Sequence, residues 1–369
     1  MTDSNLRSTL QSTTPPSSAA PARAVLCGYY GMGNAGDEAL LVSLLQMLPE
    51  HITPVVLSKD PHQTYDRYGV EAYDRWKLGE ILKAYEGARY FIWGGGSLMQ
   101  DTSSTISPLY YAGLMKLAQL MGLQTIAWAQ GIGPLQKSYN RWMTRHVLKR
   151  CTAVSVRDVG SAGLLSRWRI PHILAPDPVW AMTPRQSPSF DRLTQGLPRP
   201  WVAVNLRQHV TLTEACLETL IQALQLFQEK TRASLIFLPF QHSLDWDLAQ
   251  RLQSQFLGSP IVLIEDPQQV KGIFQQVDLT IAMRLHAVIM AAAEDCRCYA
   301  LSYDPKVSQV MQALQLPGQE LANFSCKAEI LVQEWLELLQ SVHWTAQSHR
   351  ADLIQQAIAH REILCQVMG

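Results

Sequence analysis

No stretch of this 369-residue sequence approaches the roughly 18 consecutive apolar residues that a membrane span needs. Its N-terminus lacks the apolar core of a secretory signal. Charge of one sign is not in excess either: 31 basic residues face 31 acidic ones. With no global field to draw the chain onto a polyanion, a nucleic-acid partner is not expected, and any anion site must be local. Cysteine is sparse, seven in all, an odd number without regular spacing, although Cys296 and Cys298 stand two apart. That excludes a disulfide scaffold and fits reduced thiols in a cytoplasmic protein. The ten histidines show no ligand spacing with cysteine or with one another, so no metal is expected. Repeats and coiled-coil heptads are missing too.

What is present is a globular composition, 47% hydrophobic and 17% charged, in a chain long enough for two cores. Residues 1–22 are biased to Ser, Thr, Pro and Ala and read as a disordered tail. From there, short apolar runs alternate with helical patterns. Strands are expected over 24–29, 53–57, 90–93, 125–129, 153–156 and 172–174, with helices over 37–48, 108–121 and 139–151. Residues 183–200 hold four prolines in a polar setting, a linker composition. The alternation restarts with strands over 201–205, 234–238, 261–264, 278–281 and 298–301, and helices over 213–229, 244–257, 267–275 and 285–294. Residues 326–369 are helical by their Leu, Ile and Trp spacing. The expected architecture is α/β: two Rossmann-like domains, 23–182 and 201–325, facing each other across a cleft. Ligands of open α/β sheets bind beyond the carboxyl ends of the strands, so polar residues placed there matter most.

Several such motifs occur. Gly28-Tyr-Tyr-Gly-Met-Gly-Asn34-Ala-Gly36-Asp37 follows a strand and opens a helix. It reads as a cleft-lining loop, a structural turn or a dinucleotide fingerprint; for the last, the acidic residue at Asp60 comes late. Asp37 is a ligand contact or a first-turn acid favoured by the helix dipole. Gly94-Gly95-Gly96 leads to Asp101; three successive glycines imply close approach by a ligand or by another part of the chain. The Tyr110-Tyr111 pair is a sugar contact or core. Gln130-Gly-Ile-Gly133 ends a further strand. Arg157-Asp158 is either a ligand contact or a local ion pair. In the second half, Asn205-Leu-Arg207 ends a strand with an amide and a guanidinium, the latter suited to a carboxylate or phosphate or else paired to an acid at the rim. Met283-Arg284-Leu285-His286 opens an apolar helix. Arg, His and helix amides together make an anion pocket containing a titratable group, unless His286 is a satisfied core histidine. Tyr303-Asp-Pro-Lys306 adds a cation at the same edge.

Taken in order with Asp177-Pro178, these motifs resemble the polysaccharide pyruvyl transferase family over residues 24–310, with the cell-surface-anchoring type (CsaB) the nearest subgroup. The resemblance implies a two-Rossmann, GT-B-like fold with C-terminal helices. It implies a transferase that moves pyruvyl from phosphoenolpyruvate (PEP) to a sugar of a cell-surface glycan or its lipid-linked precursor, forming a ketal and releasing phosphate. PEP is the donor substrate and no cofactor is expected. Any membrane contact, at the inner face, would come through the acceptor. The implied catalytic residues are His286, Arg207 and Arg284, with His286 as the acid–base or phosphate-binding residue. Leu285, Lys306, Arg157, Asn205, Gly95, Gly96, Asn34, Asp37 and Asp101 are the implied substrate contacts, Asp37 and Asp101 being candidates for the base. The second half is expected to hold the donor and the first half the acceptor. The rival readings are a nucleotide-sugar glycosyltransferase and a non-catalytic anion sensor.

Overall fold

The computed structural model describes residues 22–102, 104–324, 327–341 and 347–369. The expected disordered tail thus lies outside the described residues, apart from Ala22, which opens the first strand.

The first half contains β1 (Ala22–Cys27), α1 (Ala35–Met47), β2 (Ile52–Ser58), α2 (Pro61–Tyr68), β3 (Glu71–Asp74), α3 (Leu78–Tyr85) and β4 (Ala88–Met99). It continues with α4 (Ser107–Leu120), β5 (Gln124–Ile132), α5 (Ser138–Leu148), β6 (Ala153–Val156), α6 (Val159–Arg167) and β7 (Ile173–Leu174). Its strands pair in parallel in the order β3-β2-β1-β4-β5-β6-β7. After a 3-10 turn at Pro178–Ala181 come α7 (Pro188–Thr194), β8 (Trp201–Asn205), α8 (Glu214–Thr231), β9 (Ser234–Phe237), α9 (His242–Gln255) and α10 (Pro267–Ile273). Then follow β10 (Leu279–Ala282), α11 (Leu285–Ala293), β11 (Cys298–Ser302), α12 (Pro305–Leu314) and β12 (Gly318–Glu320). This second sheet, also parallel, is ordered β12-β11-β10-β8-β9.

Helices cover both faces of each sheet, so the central strands read as continuous apolar runs; residues 24–27 are all buried. The first sheet begins with the Rossmann order, and the second has the flavodoxin-like order. In each, the strand order reverses beside the first strand of the half: between β1 and β4, and between β8 and β10. Those two switch points face each other across the cleft.

Helix α1 joins the halves. Ala35, Ala39, Leu40 and Val42 belong to the core of the second half, while Leu41, Leu44 and Met47 belong to that of the first. A helix packed on two sides shows little amphipathicity, and most of α1 is buried. At its start, the Ala35 amide donates to the Phe240 carbonyl at 2.8 Å, a backbone bond across the cleft floor.

One expected strand is not formed, and the expected linker carries a helix. Residues 261–264 form no strand; Ile261 makes a lone bridge to Phe237 at the outer edge of the sheet, flanked by Pro260 and Pro267. The proline-rich stretch 183–200 is packed rather than loose: it carries α7, whose Phe190 is fully buried and meets the Trp201 ring edge-on. The C-terminal helices serve both halves. Helix α13 (Ala328–Gln340) lies on α8, and α14 (Gln347–Ala357) lies on α11 and the 3-10 turn. Helix α15 (Ala359–Met368) inserts Ile363, Leu364 and Met368 into the core of the first half. Its His360 lies beside the Ser155 hydroxyl (2.9 Å) and the Pro176 carbonyl (3.0 Å). Among the described residues, no helix is long and apolar enough to cross a membrane.

Candidate active site

A cavity of about 540 Å3 opens where the two switch points meet. Most of its lining comes from the carboxyl ends of strands. Tyr29, Asn34, Gly36 and Asp37 follow β1, Ser97 lies near the end of β4, and Arg157 follows β6. Arg207 follows β8, Arg284, Leu285 and His286 follow β10, and Tyr303 and Lys306 follow β11.

The centre is a charged cluster drawn from both halves. Arg157 donates to Asp177 Oδ2 and lies 3.3 Å from His286 Nε2 and 3.4 Å from Ser97 Oγ. Lys306 Nζ donates to the same Ser97 hydroxyl at 2.7 Å. Asp177 Oδ2 lies 3.5 Å from His286 Nε2. Nε2 thus faces both a guanidinium, which only donates, and a carboxylate, which only accepts; the other ring nitrogen is Nδ1. That nitrogen is pressed against the first turn of α1: a methyl group added at Gly36 would stand 2.2 Å from it. Gly36 is therefore required by the His286 ring approaching from the other half.

The electrostatics follow from enclosure. Burial raises the Asp37 carboxyl above its ordinary value, against the opposing pull of His286 and Arg157. Burial would raise Asp177 as well, but Arg157 and His286 outweigh it and hold that carboxyl well below its usual range. Burial and the neighbouring Arg157 charge lower the Lys306 ammonium. The site thus pairs a firmly ionised Asp177 with an Asp37 that holds its proton more tightly.

The cationic cluster is not confined to the second half, as the sequence led us to expect, since Arg157 and Ser97 come from the first. Arg207 is held by the Tyr303 hydroxyl at 2.9 Å, its guanidinium carbon 4.8 Å from that ring. Arg284 lines the cavity, but its guanidinium is committed to the fully buried Asp245 through bonds of 2.6 and 2.7 Å. Its charge is neutralised, which leaves less for a ligand. Leu285 and His286 occupy the first turn of α11, which is wholly buried from Ala287 onward. Asn34 caps α1, accepting from the Gly36 amide and donating to Asp37 Oδ2 at 2.7 Å.

Four other expected contacts lie elsewhere. Gly95 and Gly96 are buried outside the cavity wall, both at φ +87°; they let Leu40 of α1 approach β4. The close approach foreseen for the glycine run is thus made by the chain itself, and β4 continues through it to Met99. Asn205 is fully buried, donating to the Leu238 carbonyl and accepting from the Arg284 amide. Asp101 accepts from the amides of Gln136 and Lys137 and from the Asn140 side chain. Against the cost of burial, those donors hold its carboxyl low, so it caps the start of α5 and is poorly suited to take a proton.

Residues missed at the sequence level are Ser97, Asp177 as partner of Arg157, Asp245 as partner of Arg284, and Arg75. The last is buried, donating to the Gly28 carbonyl and the Tyr111 hydroxyl among the rings of Trp76, Tyr110 and Tyr111. Tyr111 itself reaches the cavity wall. Among the described residues, no group of three His, Cys, Asp or Glu side chains could hold a metal ion.

Comparison with known structures places the same two-domain architecture in nucleotide-sugar enzymes. The UDP-GlcNAc 2-epimerase of Methanocaldococcus jannaschii superimposes with a TM-score of 0.65 at 10% identity, covering 94% of this chain and 99% of that one. A putative UDP-N-acetylglucosamine 2-epimerase from Listeria monocytogenes gives 0.60 at 13% identity, covering 94% and 95%. A UDP-glucosyltransferase from Polygonum tinctorium gives 0.59 at 11%, covering 95% and 99%. At such identities the likeness establishes the GT-B-like fold alone. No match was found among curated proteins. A family model described as polysaccharide pyruvyl transferase matches residues 34–305, which takes in α1, Ser97, Arg157, Asp177, Arg207 and His286. The chain therefore belongs to the polysaccharide pyruvyl transferase family.

Proposed function

We propose that the cleft transfers pyruvyl from PEP to two hydroxyls of a sugar, forming a cyclic ketal and releasing phosphate. The acceptor is a cell-surface glycan or its lipid-linked precursor, as in the cell-surface-anchoring subgroup. One observation carries this reading. Lys306 and Arg207 are bonded to hydroxyls rather than carboxylates, so two cations face the cavity with charge to spare beside His286 and Asp37. A small donor with a carboxylate and a phosphate satisfies both.

The chemistry balances with the groups present. The His286 imidazolium delivers a proton to the methylene carbon of PEP, and C2 becomes oxocarbenium-like. A sugar hydroxyl adds to C2 and gives its proton to Asp37, whose raised carboxyl suits a base that must release the proton again. The C2–O bond to phosphate then breaks, its electron pair leaving on phosphate. Lys306 and Arg207 stabilise that charge. A second sugar hydroxyl closes the ketal on C2, and its proton leaves with phosphate or through Asp37. Asp177 is a positioning residue: it holds Arg157 and faces His286 Nε2 at 3.5 Å.

The test is incubation with PEP and a soluble or lipid-linked glycan acceptor, with phosphate release and product mass followed together. Equimolar phosphate and a pyruvyl-ketal product are expected. Turnover of a UDP-sugar with none of PEP would sink the reading in favour of a glycosyltransferase. Thermal stabilisation by PEP without phosphate release from any acceptor would indicate a sensor.

A further inference from the structure

Every charged residue between Asp101 and Asp158 is basic, in a chain whose total charge is zero. The fold gathers most of these cations on one surface. Helix α5 buries Asn140, Thr144, Val147 and Leu148 against its own half. At 100° per residue, Trp142 and Lys149 point away from that buried face and Arg145 flanks them, all three exposed. Trp142 is 67% exposed and Tyr139, one turn earlier, 47%. Lys116 of α4 borders the same surface, where its charge and that of Arg150 act on His146. Arg150 bonds His146, whose ring stacks on Trp142. Arg141 donates to the Leu135 carbonyl, and Arg150 to the His146 imidazole and carbonyl, not to carboxylates.

We infer that the outer face of α5 docks this protein on an anionic lipid bilayer. Cations ringing an exposed Trp and Tyr match the interfacial zone of such a membrane, where the rings enter the headgroup layer and the charges meet phosphates. A nucleic acid fits less well: its bases stack within a groove lined by charge, whereas these rings stand on a convex helix. Arg141, at the start of the same helix, lines the mouth of the catalytic cleft, so docking would hold that mouth near the bilayer surface. The use of docking rests on the proposed lipid-linked acceptor; the docking itself does not.

The experiment is co-sedimentation of the full chain, without PEP or acceptor, with vesicles of phosphatidylcholine alone or mixed with phosphatidylglycerol. Binding is expected only to the anionic vesicles and is lost at high salt. Each cation near such a surface strengthens partitioning about fivefold, so Arg145→Ala/Lys149→Ala should bind about twenty-five-fold more weakly. Trp142→Ala should weaken binding while leaving its salt dependence unchanged. Both variants change exposed residues, so phosphate release with a soluble acceptor should be unchanged, and Arg145→Gln/Lys149→Gln checks that the effect is one of charge. Equal binding to neutral vesicles, or wild-type binding by the double variant, would overturn the inference. So would binding of a random-sequence RNA as tightly as the vesicles with the same loss in the variant.

Discussion

Gly36→Ala tests the architecture of the site more sharply than removal of any charged group. The new methyl would stand 2.2 Å from His286 Nδ1, 2.9 Å from Cγ and 3.1 Å from Cε1. Relief to ordinary contact at 3.4 Å requires the imidazole to move by about 1 Å. The backbone has no objection, since Gly36 lies within α1 at ordinary helical dihedrals, where Ala is favoured by about 1 kcal/mol. Overpacking costs about 1–3 kcal/mol, so the net loss of stability should be about 1–2 kcal/mol. Misplacing a catalytic group by 1 Å costs about a hundredfold in rate. Gly36→Ala is therefore expected to melt only slightly lower than the parent while kcat/KM for PEP falls about a hundredfold. The decisive comparison is a double-mutant cycle. His286→Ala alone should lose about 10²–10⁴ in kcat. With the ring gone the methyl has nothing to displace, so Gly36→Ala should cost little further. Phosphate release and thermal melting, measured on all four proteins, supply the cycle. Wild-type kcat/KM in Gly36→Ala, or additive losses in the double variant, would refute the placement of His286.

Other expectations follow from the same geometry. Lys306→Ala removes a cation that donates to the Ser97 hydroxyl and should raise KM for PEP about tenfold to a hundredfold, as titration of initial rates would show. Asp37→Asn should abolish transfer yet stabilise the protein near neutral pH. The folded-state value of Asp37 is raised, so its ionised form costs stability above the unfolded value of 3.8; the melting-temperature gain should shrink as the pH falls toward that value. Arg284→Lys cannot reproduce the bidentate contact with buried Asp245 and should lower melting temperature and kcat together, whereas a free donor-binding arginine would mainly affect KM. Lys271, almost fully buried, donates to the carbonyls of Val179, Trp180 and Met182 and lies 3.4 Å from Glu294. Lys271→Met strands these partners where the halves join and should cost about 3–5 kcal/mol in denaturant unfolding, with kcat unchanged in the folded fraction.

Sequence alone determined the strands at the centre of each sheet and the motifs at their carboxyl ends. Parallel strands covered on both faces must be apolar throughout, and a ligand edge must break that run with Gly, Arg or His. It did not reveal β3 and β12, short edge strands of sequence Glu-Ala-Tyr-Asp and Gly-Gln-Glu, because an edge strand needs no apolar run. Tertiary structure alone decided the charge pairing. Arg284 and Arg207 look alike as guanidiniums at strand ends, yet Asp245 neutralises one and the Tyr303 hydroxyl leaves the other charged. Arg157, ambiguous in sequence, becomes the centre of the cluster because β6 sets it opposite α11, where it meets Asp177 and His286. The need for glycine at 36 is likewise invisible along the chain: its reason is a ring from the other half, 250 residues away, which only the meeting of two switch points brings within contact.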